Sequence, residues 1–206
     1  MSAERRFEQR RFRLEESVTQ NAGARTVFIE RMTPGTTVPP HYHTRFSETF
    51  DLLEGSLTVH SSKQEPTAAG DEGADLELLE RSSTRVSPGG AAPPPVVPAG
   101  VYHKYVVGGG ADAVLRCVVE PGHADFERLL MILNGLADDG ELEAMGDSVL
   151  LMAVIMDLGD AHLLGPAKSM LDGVYASQRQ EVADLKARLL AKYDNEENLK
   201  KLLAKN

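Results

Sequence analysis

The chain is poor in several things that narrow its chemistry. It has one cysteine, Cys117, so no disulfide can form within it, and a reducing compartment is expected. It has no tryptophan, and aromatic residues make up 5%, which argues against a base-stacking surface for nucleic acid. Basic residues are outnumbered: 22 Lys and Arg stand against 31 Asp and Glu, a formal net charge of −9. Such a chain repels a phosphate backbone. The local cluster Arg5, Arg6, Arg10, Arg11 and Arg13 is interleaved with Glu4, Glu8, Glu15 and Glu16 and reads as a mixed, solvated surface. Long hydrophobic runs are missing too. The longest, Val149 to Met156, is too short to span a bilayer, and the charged start MSAERRFEQRRF has no apolar secretory core. The expectation is a soluble cytoplasmic protein with neither nucleic-acid nor membrane partners.

What is present divides into two textures, 1–122 and 123–206. The first consists of short β-like runs separated by Gly, Pro, Ser and Asp: Thr26 to Glu30, Thr49 to Leu53, Ser56 to His60, Leu76 to Leu79, Ser83 to Val86, Val101 to Val107 and Ala113 to Val119. Many short strands with turn signals between them predict a mainly β sandwich or barrel. The stretch 61–73 and the proline-rich stretch 88–98 read as loops. The second region reads as helical. Asp125 is the expected N-cap of a helix carrying Phe126, Leu129, Leu130 and Leu133 and ending at Asn134-Gly135. Asp147 or Ser148 caps an apolar helix over 149–158. Beyond Gly165-Pro166, the residues Leu171, Val174, Tyr175, Val182, Leu185 and Leu189 form one stripe. The tail from Asn195 fits an amphipathic helix or a frayed end.

Three of the six histidines sit in two informative segments. Gly35 opens the first, which runs G-x5-H-x-H-x4-E-x6-G through His41, His43 and Glu48 to Gly55. Side chains alternate on a strand, so His41 and His43 project from one face, and a carboxylate beyond a short bend can close on the same ion. The second segment, Pro98-x-Gly100-x-x-His103, places a turn before a strand carrying a third imidazole. Imidazole with carboxylate suits a divalent first-row ion: iron, manganese, nickel or zinc.

These two segments resemble the paired motifs of the cupin superfamily, over roughly residues 10–120. The first matches at each fixed position. The second departs at its ends, with Ala92 where a glycine is expected and Val107 where an asparagine is. The resemblance implies a jelly-roll barrel (a double-stranded β-helix) followed by C-terminal α-helices, and a chain that forms a homodimer. It also implies one metal ion held by His41, His43, Glu48 and His103. Such an ion keeps one or two coordination positions open for a small organic molecule, water or dioxygen. A dioxygenase and a metal-assisted isomerase, cyclase or lyase are the enzyme readings, and a non-catalytic small-ligand-binding module is the alternative. A storage role fits least, since one barrel is all the chain accommodates. No catalytic acid or base is assigned, and no organic cofactor.

Parity adds candidates for a pocket. Phe50 and Leu52 share a face with Glu48, and Tyr105 and Val107 share one with His103; Arg45, Tyr102 and Arg116 are polar candidates for gripping substrate, weighed evenly against outward salt bridges. His60, His123 and His162 read as surface or cap residues, Cys117 as a buried small hydrophobe, and Met131, Met152, Met156 and Met170 as helix core.

Overall fold

The computed structural model describes residues 11–62, 72–145 and 148–203, with nothing said of the side chains of 72–75. Much of the Arg and Glu cluster at the start, most of the loop expected over 61–73, and Asp147 as a cap lie outside the described residues. Ten strands are present: β1 (Phe12–Glu16), β2 (Thr26–Met32), β3 (Thr37–His43), β4 (Ser47–Glu54), β5 (Leu57–Ser61), β6 (Ser83–Val86), β7 (Val96–Val97), β8 (His103–Val107), β9 (Ala113–Glu120) and β10 (Ala161–Leu163). Among the described residues seven helices accompany these strands: α1 (Glu72–Arg81), α2 (Ala124–Asp138), α3 (Leu142–Met145), α4 (Val149–Leu158), α5 (Gly165–Ser177), α6 (Arg179–Tyr193) and α7 (Glu196–Leu203). None of the described helices is long and apolar enough to cross a membrane.

The strands form two five-stranded sheets, ordered β1-β2-β9-β4-β7 and β10-β3-β8-β5-β6. Their pairings are antiparallel throughout. Strands β4, β5 and β8 bury alternate residues, as a sheet with one face on a core must. In β4 the buried set is Glu48, Phe50 and Leu52; in β8 it is His103, Tyr105 and Val107. Inward side chains of both sheets join one cluster, including Phe28, Phe50, Leu57, Val59, Leu115 and Val107. Phe126, Leu130 and Met131 of α2 and Leu202 of α7 complete it. A second cluster, built mainly from α2, α4, α5 and α6, packs Ile132, Leu136, Val154, Leu158, Leu185 and Tyr193.

Gly55 turns β4 into β5 with φ +85°, and a Cβ there would stand 2.5 Å from the Asp112 carbonyl oxygen. Backbone conformation and close approach both require glycine at this position.

Several elements differ from the sequence reading. Leu76 to Leu79 is helical, inside α1, not a strand. Leu79 is fully buried while Leu78 is exposed, and a run of four apolar residues cannot by itself distinguish the two states. The helix expected to end at Asn134-Gly135 runs on to Asp138, and Gly135 is a packing glycine inside it: the Tyr193 ring occupies the space a Cβ would need. The cap of α2 is His123, whose side chain accepts from the Phe126 N–H, rather than Asp125. Val96–Val97 forms a two-residue edge strand within the proline-rich stretch. The region read as helical also holds β10. Met170 is 40% exposed and does not belong to the core.

Candidate metal centre

His41 and His43 are the buried residues at the end of β3, Glu48 lies near the start of β4, and His103 opens β8. Strands β3 and β8 are neighbours in one sheet, with His41 directly opposite His103, while β4 belongs to the other. The segment Thr44 to Phe46 carries the chain across, so the four side chains meet between the sheets. One ligand atom from each lies within 4.8 Å of those of the others, and all four residues are buried. Gly100, at φ +79°, donates its N–H to the His43 carbonyl at 2.7 Å, which ties the turn before His103 to the strand of the other two histidines.

The hydrogen bonds of the rings fix which nitrogens face inward. Nδ1 of His41 lies 2.7 Å from the Pro39 carbonyl oxygen and Nδ1 of His103 lies 3.2 Å from that of Val101. Nδ1 of His43 lies 3.0 and 3.1 Å from the carbonyls of Gly159 and Asp160. Carbonyl oxygens only accept, so each Nδ1 carries a proton, and a ring that is otherwise unprotonated turns the lone pair of Nε2 inward. There, His103 Nε2 is 2.9 Å and His43 Nε2 is 3.2 Å from the same Glu48 oxygen, Oε2. Among the described residues, His43 Nε2 has no hydrogen-bond partner. Acceptors converging on a carboxylate in a buried space require a cation, supplied either by ring protonation or by a metal ion. This donor set fits a divalent first-row ion.

The electrostatics follow from burial and mutual proximity. Burial, reinforced by the neighbouring His103 and His43, holds the His41 pKa well below its ordinary value, which keeps that ring neutral and able to coordinate. Burial alone would lower His43, but the Glu48 carboxylate outweighs it and raises His43. Burial opposes the charge on Glu48, yet His43 and His103 hold its pKa well below the usual carboxylate range. Its other oxygen, Oε1, accepts from the Cys117 thiol at 3.6 Å. That thiol is pushed well up by burial and then by Glu48 and Glu30, so Cys117 is a neutral donor rather than a nucleophile.

Of the remaining candidates, Phe50 and Tyr105 stand beside the cluster: ring centroids are 5.9 Å apart for Phe50 and His103 and 5.5 Å for Phe50 and Tyr105. Arg45 and Tyr102 line a separate 380 Å³ cleft with Tyr42, His162 and Tyr175, on the opposite face of β3 from the histidines. Arg116 points outward and pairs with Glu15 and Asp51. His60 bonds the Leu79 carbonyl, and His162 stacks on Tyr42 outside the cluster.

Two groups escaped the sequence reading. Glu30 is buried on β2, where it accepts from Tyr105 Oη at 3.1 Å and from Arg11 Nη2 at 2.6 Å. Its signal was parity, since it alternates inward with Phe28 and Met32. Asp160 has no such signal. Its carboxylate accepts from the N–H groups of Thr44 and Arg45 at 2.6 and 2.8 Å, and its carbonyl faces His43 Nδ1.

Fold and cluster together define a two-sheet antiparallel β protein with a candidate mononuclear metal centre. No family model and no curated protein matches the sequence. Among solved structures, the chain is similar to L-ribose isomerase from Cellulomonas parahominis, at 18% identity over 48% of this chain and 50% of that one, with a TM-score of 0.40. KdgF from Halomonas sp. gives 16%, 55%, 80% and 0.41, and a predicted oxalate decarboxylase from Thermotoga maritima gives 16%, 53%, 77% and 0.39. The match spans about half the length of the isomerase. The chemistry of the site is read from its own geometry.

Proposed function

We propose that this chain is a cupin whose jelly-roll barrel holds one divalent metal ion through His41, His43, Glu48 and His103, and that it is a metal-dependent enzyme acting on a small organic molecule. The observation that carries the reading is the commitment of all three Nδ1 protons to backbone carbonyls. It leaves three Nε2 atoms and one buried carboxylate facing one another. Backbone acceptors behind the ligands fix their tautomer and orientation, as partners of metal-bound histidines do.

A bound ion would supply Lewis acidity toward a carbonyl or hydroxyl oxygen, the chemistry of an isomerase or lyase, or a redox centre, the chemistry of a dioxygenase. The chain's own residues do the rest. Phe50 and the inward aliphatic side chains exclude water. The Cys117 thiol orients Glu48 through Oε1. Burial, with Glu30 and Glu48, raises the Tyr105 pKa well above its ordinary value, so its hydroxyl stays protonated and donates to Glu30.

The proposal assigns 1–122 to the barrel domain and 123–206 to a helical extension that adds β10 to it. It includes a homodimer in a reducing cytoplasm, tested by light scattering of the purified chain and by cell fractionation.

The test is elemental analysis of protein purified without chelators. About one equivalent of metal is expected, strongly reduced in His43→Ala and retained in His123→Ala. Equal metal in the two variants would overturn the ligand assignment. Oxygen consumption during turnover then separates the dioxygenase from the isomerase and lyase chemistries, and absence of turnover across substrate classes would leave a binding module.

A further inference from the structure

A second large cavity is lined by strand neighbours of two candidate metal ligands, not by the ligands themselves. Strand β7 ends one sheet and β6 ends the other, and a cavity of 600 Å³ lies between these two unpaired edges. Its inner wall is made of cross-strand neighbours of the cluster. Ser61 is directly opposite His103, Val97 is directly opposite Glu48, and Val59 lies between Tyr105 on one side and Thr84 on the other. Residues directly opposite in an antiparallel pair project from the same face, with Cβ atoms about 4.5–5.5 Å apart. Val97 and Ser61 are therefore one side chain removed from two of the four candidate ligands, and both line the cavity.

The lining has a distinct chemistry. Val59 and Val97 give it an apolar floor, and Ser61, Ser82 and Thr84 bring hydroxyls. Arg81, at the end of α1, is the one charged side chain among the described residues that line it. In a chain of net charge −9, a lone guanidinium at a cavity mouth is a local exception. Among the described residues its ion pair is with Glu77 at 3.3 Å, both groups being largely exposed. Such a pair is readily exchanged for a carboxylate that binds in the fork.

We infer that the cleft between the β6 and β7 edges is the substrate site of the metal centre, and that it takes a small hydroxylated carboxylic acid: its carboxylate on Arg81, its hydroxyls among Ser61, Ser82 and Thr84, its far end at the ion. The inference rests on the metal-enzyme reading for what the ligand meets at its inner end, while the ligand class rests on the cleft alone.

The experiment is a titration of the ¹⁵N-labelled full chain with three probes: D-gluconate, which has carboxylate and hydroxyls; D-glucitol, which has hydroxyls only; and hexanoate, which has a carboxylate only. Gluconate is expected to shift the amides of Ser61, Thr84 and Val97 and to bind several-fold tighter than either partial probe. Arg81→Gln is expected to weaken gluconate roughly tenfold, the order of one charge-assisted contact, and leave glucitol unchanged. Thr84→Trp, on an exposed edge, is expected to fill the cleft and abolish all three. With Mn(II) in place of Zn(II), the protons of bound gluconate should broaden. Silent cleft amides, hexanoate equal to gluconate, or unchanged binding in Arg81→Gln would overturn the ligand class. Equal line widths with the two ions would overturn the placement beside the metal. Cleft shifts in protein that takes up no metal would support the ligand class and overturn the metal-enzyme reading instead.

Discussion

Asp160 acts on the cluster without belonging to it. It is a non-glycine residue at φ +48°, a conformation kept only where surrounding bonds enforce it. Here they do: its carboxylate holds the backbone N–H groups of Thr44 and Arg45 and the Thr44 hydroxyl, and its carbonyl receives His43 Nδ1. Removing the carboxylate releases the bend between His43 and Glu48. Asp160→Gly, which relieves the backbone angle while deleting the carboxylate, is expected to weaken metal affinity about 10–100-fold, as loss of a partner behind a ligand does. Equal affinity in titrations of wild type and variant would show that the bend is held by packing alone. The contribution also depends on pH. Burial opposes the Asp160 charge, but the Thr44 and Arg45 donors hold its pKa below the ordinary value. A depressed carboxyl stabilises the fold above its unfolded pKa, ~3.9, and that contribution is lost as pH falls through the folded value. The stability gap between wild type and Asp160→Asn, followed by denaturant unfolding, is expected to be constant from neutral pH down to about pH 5 and to shrink below about pH 4. The four cluster residues were legible in the sequence because strand parity and fixed spacing are local. Asp160 was not, because its partners lie 115–117 residues away and its side chain follows no periodic pattern.

At the scale of elements, legibility follows how much of an element's cause is local. The turn from β4 into β5, which carries the chain from one sheet to the other, was readable because Glu54-Gly55 supplies the turn and Leu57 and Val59 supply the alternation. Gly55→Ala is expected to cost about 2 kcal/mol or more, since it adds a left-handed strain to a contact with Asp112 that the backbone cannot evade. Urea unfolding measures this, and a cost under about 0.5 kcal/mol would mean the turn relaxes. Strand β10 has no such local cause. Ala161, His162 and Leu163 follow a helix and precede another, and they become a strand because β3 offers an edge: Leu163 lies opposite His41 and Ala161 opposite His43. The run around Leu76 to Leu79 fails in the other direction, since its apolar residues suit a strand and packing of Leu79 makes it a helix.

For the whole molecule, the division into a β half and a helical half describes the sequence better than the packing. Leu202 of α7 is 1% exposed and belongs to the same cluster as Phe28 and Leu115, so Leu202→Ala is expected to cost about 2–4 kcal/mol although it lies in the last of the described helices. The more consequential link runs through β10. Its pairing with β3 places Gly159 and Asp160 behind His43, and the Leu164 N–H bonds the Pro40 carbonyl, so residues 159–164 brace the strand that carries two candidate ligands. Any ion that binds the native cluster and not the unfolded chain stabilises every part of the molecule that must be formed for the cluster to exist. If β10 is such a part, metal binding slows opening of the β3–β10 pairing even though no residue of β10 is a ligand. Hydrogen exchange with and without metal measures this. Slowing is expected at amides of residues 161–164 and in β3, while amides around Leu185 in α6, which belongs to the helical cluster, open locally and keep their rates. Unchanged exchange at 161–164 would show that the helical half only rests against the two sheets. Slowing confined to 159–164 and the sheets would make this short segment the means by which the helical half and the metal centre sense each other.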